Sequence, residues 1–314
     1  MTLAHYLVRR LALGVAQIVG VATLIFLLTE ALPGDAAVVL AGDTPDPERI
    51  DRLRTAMRLD LPVGQRYLDW LISLLRGDLG RSLVSDRPVA DTLITGLTPT
   101  LLLAGLTFLL LVPTALGLGV LAARRPGSLT DRVISGVTLG FYSVPEFASA
   151  VLLIAIFALQ FGVLPANALG VDRLTDEPAV LVLPVLVLLI RPLCSVSRLV
   201  RAGLIDADRS DYVRHLRRFP ITERRIAWAH ALPTAGPPAV QQLARTTDWL
   251  LGGVIVVEAV FVIPGLGTTL VEAVGSRDVP VIQGLALMFG TVTVMINILA
   301  DLICFRLNPR TAEL

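Results

Sequence analysis

The sequence predicts an all-α integral membrane protein with six transmembrane helices, and three observations carry this prediction. Hydrophobic residues make up 54% of the 314 residues and charged residues only 17%, against about 25% charged in ordinary soluble domains. The mean hydropathy is +0.73. Several apolar runs also reach the roughly 20 residues that a helix needs to cross a bilayer. These features exclude a soluble globular protein and a disordered chain.

Five apolar runs are clearly long enough to be transmembrane spans. They are Leu11–Leu32, Leu101–Ala123, Val133–Phe161, Ala179–Val200 and Val281–Phe305. A sixth run, from about Ala239 to Ile263, contains three charged residues, but its second half is apolar enough to insert when neighbouring helices shelter the charges. We therefore count it as a span. Four prolines inside these runs, Pro113, Pro145, Pro184 and Pro192, are expected to kink their helices.

The distribution of arginine predicts that both chain termini are cytoplasmic. The chain contains no lysine, so all 27 basic residues are arginine. Most of them fall in segments that lie inside under this orientation, whereas the short outer loops carry one each, Arg173 and Arg277. Residues 1–32 are predicted to be an uncleaved anchor, because Glu30 and Pro33 stand where a signal-peptide cleavage site needs small residues.

The residue inventory disfavours catalysis by this chain. Without lysine there is neither a Walker nucleotide-binding loop nor a Schiff-base amine. His5, His215 and His230 are the only histidines and form no His-Glu-x-x-His motif. Cys194 and Cys304 lie in apolar runs and are interpreted as small core residues. A secondary transporter is the less favoured alternative, since no internal repeat is visible.

A long region on the outer side, residues 33–99, is predicted to contain helices. Asp46 followed by Pro47 is typical of a helix start. A second, amphipathic helix is expected from about Val63 to Arg76, and a third from about Pro88. Such a region is either a docking platform for another protein or a cap lying on the bilayer and the other helices, and helical spacing does not separate the two.

A basic cytoplasmic loop from about 201 to 236 is the second long region outside the spans. Pro220 is predicted to divide it into two short helices, with Thr222 as the N-cap of the second. The loop is either a solvated face near anionic headgroups or a protruding element that a soluble partner grips. An ordered insertion of this length favours the second interpretation.

The stretch from Gly252 to Gly284, GGVIVVEAVFVIPGLGTTLVEAVGSRDVPVIQG, carries the most specific pattern in the chain. Its characteristic residues are Glu258, Phe261, Pro264–Gly267, Arg277, Asp278, Pro280, Gln283 and Gly284. Further matches are LPGD at residues 32–35, GDLGRS at 77–82, Ser143-Val144-Pro145 and Phe147. Together these residues resemble the permease subunits of bacterial ATP-binding-cassette (ABC) importers, in the dipeptide, oligopeptide and nickel branch.

The basic loop occupies the place of the family's EAA loop, which contacts the ATPase subunit. Leu232-Pro233 stands at the expected spacing, whereas Pro220 replaces a family glycine, so the turn must have a different shape. The resemblance implies that ATPase coupling falls on Arg214, His215, Leu216, Arg217, Arg218, Phe219 and Pro220.

The resemblance also implies the function and the partners. The chain is expected to form half of an ATP-driven path for di- or oligopeptides in a bacterial inner membrane, with residues 100–314 as the permease core. Expected partners are a second homologous permease, one or two ATPase subunits that bind ATP and Mg²⁺, and an extracytoplasmic binding protein that docks at Tyr67, Trp70 and Leu71. No cofactor of its own and no nucleic-acid partner are expected, and lipid surrounds the spans. Nickel-chelate or haem cargo remain alternatives.

Polar residues inside the spans are candidates for the translocation path, because charges in a membrane are costly and often functional. The candidates are Glu146, Arg191, Gln241, Arg245, Asp248 and Glu258. Structural alternatives stay open for five of them: an interhelical ion pair for Glu146 and Arg191, a neutralised contact for Arg245 and Asp248, and helix association for the glutamine.

Overall fold

The fold is known from a computed structural model that describes residues 3–31, 37–38, 46–56, 59–171 and 173–307. The chain divides into two compact units. The first comprises Met1–Leu11, Leu101–Ile263 and Met295–Leu314; the second comprises Ala12–Thr100 and Pro264–Val294.

The described residues are helical, and they contain no β-strand beyond a single bridge between Arg81 and Pro88. The α-helices are α1 (Leu3–Glu30), α2 (Pro47–Ala56), α3 (Val63–Leu75), α4 (Val89–Arg124), α5 (Leu129–Tyr142), α6 (Glu146–Leu153), α7 (Val182–Arg209), α8 (Asp211–Leu216), α9 (Glu223–Arg225), α10 (Leu232–Phe261), α11 (Leu266–Gly275) and α12 (Val279–Leu307). Wider π-helical turns extend α6 over Ile154–Gln160 and join α9 to α10 over Ile226–Ala231, and a 3-10 turn, Pro178–Leu181, precedes α7.

Four helices in the described ranges are long and apolar enough to cross a membrane, and two broken helix pairs raise this number to six if each pair is one span. The four are Val8–Glu30, Val89–Arg124, Pro178–Arg209 and Val279–Arg306. The predicted all-helical membrane protein is therefore confirmed, with a span number between four and six.

The predicted span Val133–Phe161, with its expected kink at Pro145, corresponds to a broken pair of helices. The chain bends by 102° between α5 and the helix that starts at Glu146. Pro145 precedes α6 with φ −59° and ψ 148°. A proline also disfavours helical geometry at the residue before it, here Val144, which favours a helix end at this point.

The helix starts follow local sequence signals. Asp46 Oδ1 accepts a hydrogen bond from the Glu48 backbone N–H at 3.1 Å, as the Asp46-Pro47 pattern predicts. Thr222 caps α9 by accepting from the Arg225 N–H, which confirms the two short helices on either side of Pro220. The helix predicted from Pro88 does begin at Val89, but it is continuous with the predicted second span, because 36 residues run to Arg124 without a break.

The core of the first unit forms where α7 and α10 pack together. Leu183, Leu188, Leu250 and Phe261 are buried there. Further along the same helices, a Cβ atom on Gly203 would lie 2.9 Å from the Ala235 carbonyl oxygen, so a glycine allows α7 and α10 to approach closely.

The second unit has its own apolar cluster, and two family-like motifs meet in it. Val89, Leu266 and Leu285 are buried together. Asp278 of the Arg-Asp motif accepts hydrogen bonds from the Ser82 hydroxyl and from the Leu83 backbone N–H, the latter at 3.1 Å. These hydrogen bonds connect two motifs that are 196 residues apart in the sequence, and Ser82 and Asp278 are both buried.

Candidate functional site

The break between α5 and α6 carries the first group of candidate residues. Glu146 opens α6, and its Oε1 atom lies 3.4 Å from Nη1 of Arg191 on α7. The Arg191 guanidinium also lies over the Tyr142 ring, 5.2 Å from its centroid, at the end of α5. Arg191 thus contacts both sides of the break, and sequence reasoning named Glu146 and Arg191 but not Tyr142.

This ion pair is open to the surroundings. The Arg191 side chain is 43% exposed and the Glu146 side chain 16%. Ser143 and Val144, which form the break, are also exposed. A single contact at 3.4 Å exceeds the usual distance of a charge-assisted hydrogen bond, so the pair is loosely made.

A second ion pair ten residues further along α7 is closed. Arg201 holds Asp131, in the first turn of α5, through two hydrogen bonds of 2.6 and 2.7 Å. Asp131 is 4% exposed and also accepts from the Gly127 N–H at 2.8 Å. The Ser128-x-x-Asp131 pattern can be recognised in the sequence as the start of a helix. No residue near Asp131 in the sequence, however, predicts that Arg201 is its ion-pair partner.

The segment between α7 and α10, residues 210–231, is the candidate coupling element. Val213 and Ile226 are buried in a small cluster of their own, and Leu216 packs against it. Leu216 is therefore half-buried against this cluster. Phe219 and Pro220 do stand at the tip, with Phe219 50% exposed and its ring 5.2 Å from that of His215.

The arginines of this segment differ in their freedom. Arg217 donates hydrogen bonds to Glu223, at 3.0 Å, and to Asp208, and it thereby connects α7 to α9. The hydrogen bond to Glu223, and to a lesser extent the one to Asp208, raises the pKa of Arg217 above the ordinary arginine value. Arg214 pairs with Asp211 at 2.6 Å on the surface. Arg218 is exposed. An open depression follows the tip and is lined by Thr222, Arg224, Arg225, Trp228 and Ala229.

The remaining candidates for the translocation path lie on α10, and they differ in the exposure of their side chains. Gln241 and Arg245 are four residues apart, so they share one helix face, and both are exposed. Glu258 is completely buried beside Phe261, so it lines no open surface of this chain in the observed conformation. The Asp248 side chain lies outside the described residues.

The candidates on α3 contact the first helix. The Tyr67 hydroxyl lies 2.7 Å from the Thr23 hydroxyl, and the Tyr67 and Trp70 rings pack against Phe26 at 5.2 and 5.6 Å. Leu71 is half-buried. These contacts favour a supporting role for the three residues over a freely exposed docking face.

The described residues contain no cluster of side chains that could bind a metal ion. Among the side chains that the structure describes, no group of three or more His, Cys, Asp and Glu residues is arranged to hold a metal ion.

Comparison with known proteins places these features in a family. Residues 115–313 match the family "Binding-protein-dependent transport system inner membrane component", and residues 3–104 match the N-terminal component of such systems. The glutathione transport system permease protein GsiC of Escherichia coli O6:H1 is 34% identical over 305 residues, which is 97% of this chain and 98% of that protein. The dipeptide transport system permease protein DppB of E. coli K12 is 30% identical over 332 residues, with 98% of each chain covered. The chain therefore belongs to the family of binding-protein-dependent transport system inner membrane components and is a multi-pass permease of a bacterial inner membrane.

Proposed function

We propose that this permease forms half of the translocation path of an ATP-driven peptide importer and couples to ATPase subunits through residues 210–231. The names of two relatives, which describe glutathione and dipeptide transport, support a small-peptide cargo. A second permease, one or two ATPases that hold ATP and Mg²⁺, and an extracytoplasmic binding protein complete the complex. The chain itself is non-catalytic.

The single observation that carries this proposal is the construction of the 210–231 segment. Its own apolar cluster and the Arg217 bridge from Asp208 to Glu223 make it an ordered element. Its tip nevertheless presents Phe219, an exposed aromatic side chain. An ordered base with an apolar tip is what transmission of ATPase closure to the spans requires, because a flexible loop would absorb the motion.

We further propose six spans with both termini in the cytoplasm, each broken pair counting as one span. The Arg10 guanidinium near the start of α1 lies 2.8 Å from Asp301 near the end of α12. Both residues belong to the first unit. A contact between the first and last helices at these ends supports placing the two termini on one side of the membrane, and the arginine distribution supports the cytoplasmic side.

The residues that line the translocation path in this proposal are the exposed polar ones, namely Gln241 and Arg245 on α10 and the Glu146–Arg191 pair. Fully buried Glu258 acts at most after a rearrangement of the core. On α3, Tyr67, Trp70 and Leu71 position the helix against α1, and the binding protein contacts the outer region that this packing supports.

Reconstitution tests the function. The permease, its sister permease, the ATPases and the binding protein are placed in proteoliposomes, and uptake of a radiolabelled dipeptide is followed. We expect uptake that requires ATP and the loaded binding protein. Uptake driven by a proton gradient without ATPases would indicate a secondary transporter, and uptake of a nickel chelate or haem in place of peptide would reassign the cargo.

Two matched substitutions test the coupling element. Burying a Phe side chain in a partner contributes about 1.5–3 kcal/mol, whereas an exposed arginine contributes under about 1 kcal/mol. Phe219→Ala should therefore lower ATPase co-purification or transport per ATP by at least about tenfold, and Arg218→Ala by less than about fivefold. Equal small effects would show that the tip does not contact the ATPase.

A further inference from the structure

Arg191 occupies an unusual position for a charged residue. It lies inside α7, within the candidate span Pro178–Arg209, and 43% of its side chain is exposed. A guanidinium in contact with lipid is strongly unfavourable, and ionisable residues inside spans face the bundle interior or a water-filled cavity. The exposed face of Arg191 therefore indicates a polar space.

The break between α5 and α6 points to the same space independently. Residues 143–145 form irregular backbone within the broken pair, and Ser143 and Val144 are exposed. Non-helical backbone at membrane depth is tolerated where protein buries it or where it lines an aqueous cavity. Because the break is exposed on this chain and Glu146 follows it directly, the cavity interpretation applies at the position of the ion pair.

The geometry of the Glu146–Arg191 pair leaves both side chains able to bind other groups. Glu146 and Arg191 share one contact of 3.4 Å, so the guanidinium keeps further N–H donors and the carboxylate keeps acceptor capacity. Arg201 of the same helix α7 shows the alternative with Asp131 of α5, a bidentate arrangement with a buried carboxylate that leaves little to exchange.

We propose that Glu146 and Arg191 form a charge-selective subsite for a zwitterionic peptide on the translocation path. The carboxylate of Glu146 accepts the peptide ammonium group, and Arg191 binds the peptide carboxylate. Two opposite charges keep the site near neutrality, so a peptide is bound briefly and released, as conduction through any pore requires. This inference rests on the proposed peptide-importer function and names the residues that sort cargo charge within it.

The test uses the reconstituted complete importer and two peptides, Ala-Glu-Ala and Ala-Lys-Ala, each at saturating loaded binding protein. Glu146→Gln leaves a net positive site and should raise the Glu-to-Lys peptide uptake ratio at least threefold over wild type. Arg191→Gln leaves a net negative site and should lower that ratio at least threefold. Division by the wild-type ratio cancels the preference of the binding protein, which is the same in all samples.

Asp131→Asn is the matched control, because it neutralises the carboxylate of the closed pair, which joins the same helix α7 to α5. It should reduce uptake of both peptides equally and leave the ratio at the wild-type value. An unchanged ratio in active Glu146→Gln and Arg191→Gln complexes would overturn the inference while leaving the importer function intact. Absence of ATP-dependent peptide uptake by wild type would instead overturn the proposed function.

A second measurement serves if the neutral variants do not assemble. Ser143→Cys is made in a Cys194→Ala/Cys304→Ala background, and the assembled complex is treated with cationic and anionic methanethiosulfonates. These reagents modify a thiolate in water, so labelling of Cys at the break is expected and should be slowed by transported peptide. Failure of both reagents to label would show that the pair lies in lipid or at a protein interface, and the inference would be wrong.

Discussion

Two ion pairs along α7 use the same chemical groups in different ways. The Asp131–Arg201 pair is bidentate, nearly shielded at its carboxylate and reinforced by the Gly127 N–H. The Glu146–Arg191 pair has one long contact and a half-exposed guanidinium. Each pair fixes α7 to one half of the broken span, α5 through Asp131 and α6 through Glu146. The difference indicates that one half is held permanently and the other is free to exchange its contact.

The surroundings of the two pairs explain the difference. Near Arg201, Gly203 brings α7 against α10, and Gly119 brings α4 against Val200, so the helices around this end of α7 are closely packed. Near Arg191, the helix break leaves Tyr142 and Ser143 exposed. Desolvation makes a buried pair expensive to disrupt, whereas an exposed pair is worth little in stability.

The largest expected effect follows from removing one partner of the closed pair. Asp131→Asn leaves the Arg201 charge without its carboxylate, and because the Arg201 side chain is 30% exposed the loss should reach at most the about 3 kcal/mol that breaking a fully buried pair costs. Unfolding in mixed detergent micelles, followed by circular dichroism against increasing SDS, measures this loss. A cost under about 1 kcal/mol would show that the closed pair is not structurally important.

A somewhat smaller effect is expected from overpacking the same end of α7. Gly203→Val places a Cβ atom 2.9 Å from the Ala235 carbonyl oxygen, and backbone cannot move away as a flexible side chain could. Such strain typically costs about 1–3 kcal/mol. The same SDS titration reports the cost, with Gly117→Val as control because a Cβ atom there meets no atom within 4 Å. Equal stability of the two variants would contradict the close approach of α7 and α10.

The open pair should contribute much less to stability. Glu146→Gln removes one long contact from a partly solvated arginine, so the free energy of unfolding should fall by less than about 1 kcal/mol. The comparison with Asp131→Asn sharpens the contrast directly, since both changes replace a carboxylate by an amide. Losses of equal size would remove the distinction between a fixed and an exchangeable pair.

The smallest effect is expected at Tyr142, over which Arg191 lies at 5.2 Å. Tyr142→Phe retains the aromatic face and should be neutral within about 0.3 kcal/mol, whereas Tyr142→Leu removes a cation–π contact worth about 0.5–1 kcal/mol. Thermal unfolding of the purified permease in detergent compares the two. A larger loss for the Phe variant than for the Leu variant would show that the hydroxyl, and not the ring, matters.

The four prolines in the apolar runs show which helix properties can be predicted from the sequence and which cannot. Pro113, Pro184 and Pro192 lie within continuous helices, α4 and α7, whereas Pro145 separates two helices at 102°. All four lie in long apolar runs, three of them directly after an apolar residue and Pro192 after Arg191, and the sequence assigns all four the same kink. Whether a helix tolerates a proline depends on neighbours that satisfy the freed backbone groups, and those neighbours are set by the tertiary structure.

The coupling segment shows the same division between local and distant information. Thr222 as a helix cap and Pro220 as a separator follow from residue chemistry within three or four positions. The burial of Leu216 does not, because the cluster it joins includes Ala207 and Ile226 from two other elements.

By itself the sequence determined that this is a helical membrane protein, where several helices start and which family its motifs resemble. Those properties depend on composition, apolar run length and contacts within one helical turn. Only the tertiary structure decided that Arg201 holds Asp131 tightly, that Arg191 meets Glu146 loosely, and that Asp278 joins Ser82. The partners in these pairs are 45 to 196 residues apart, and the strength of a charged contact depends on local water access, which no spacing in the sequence encodes.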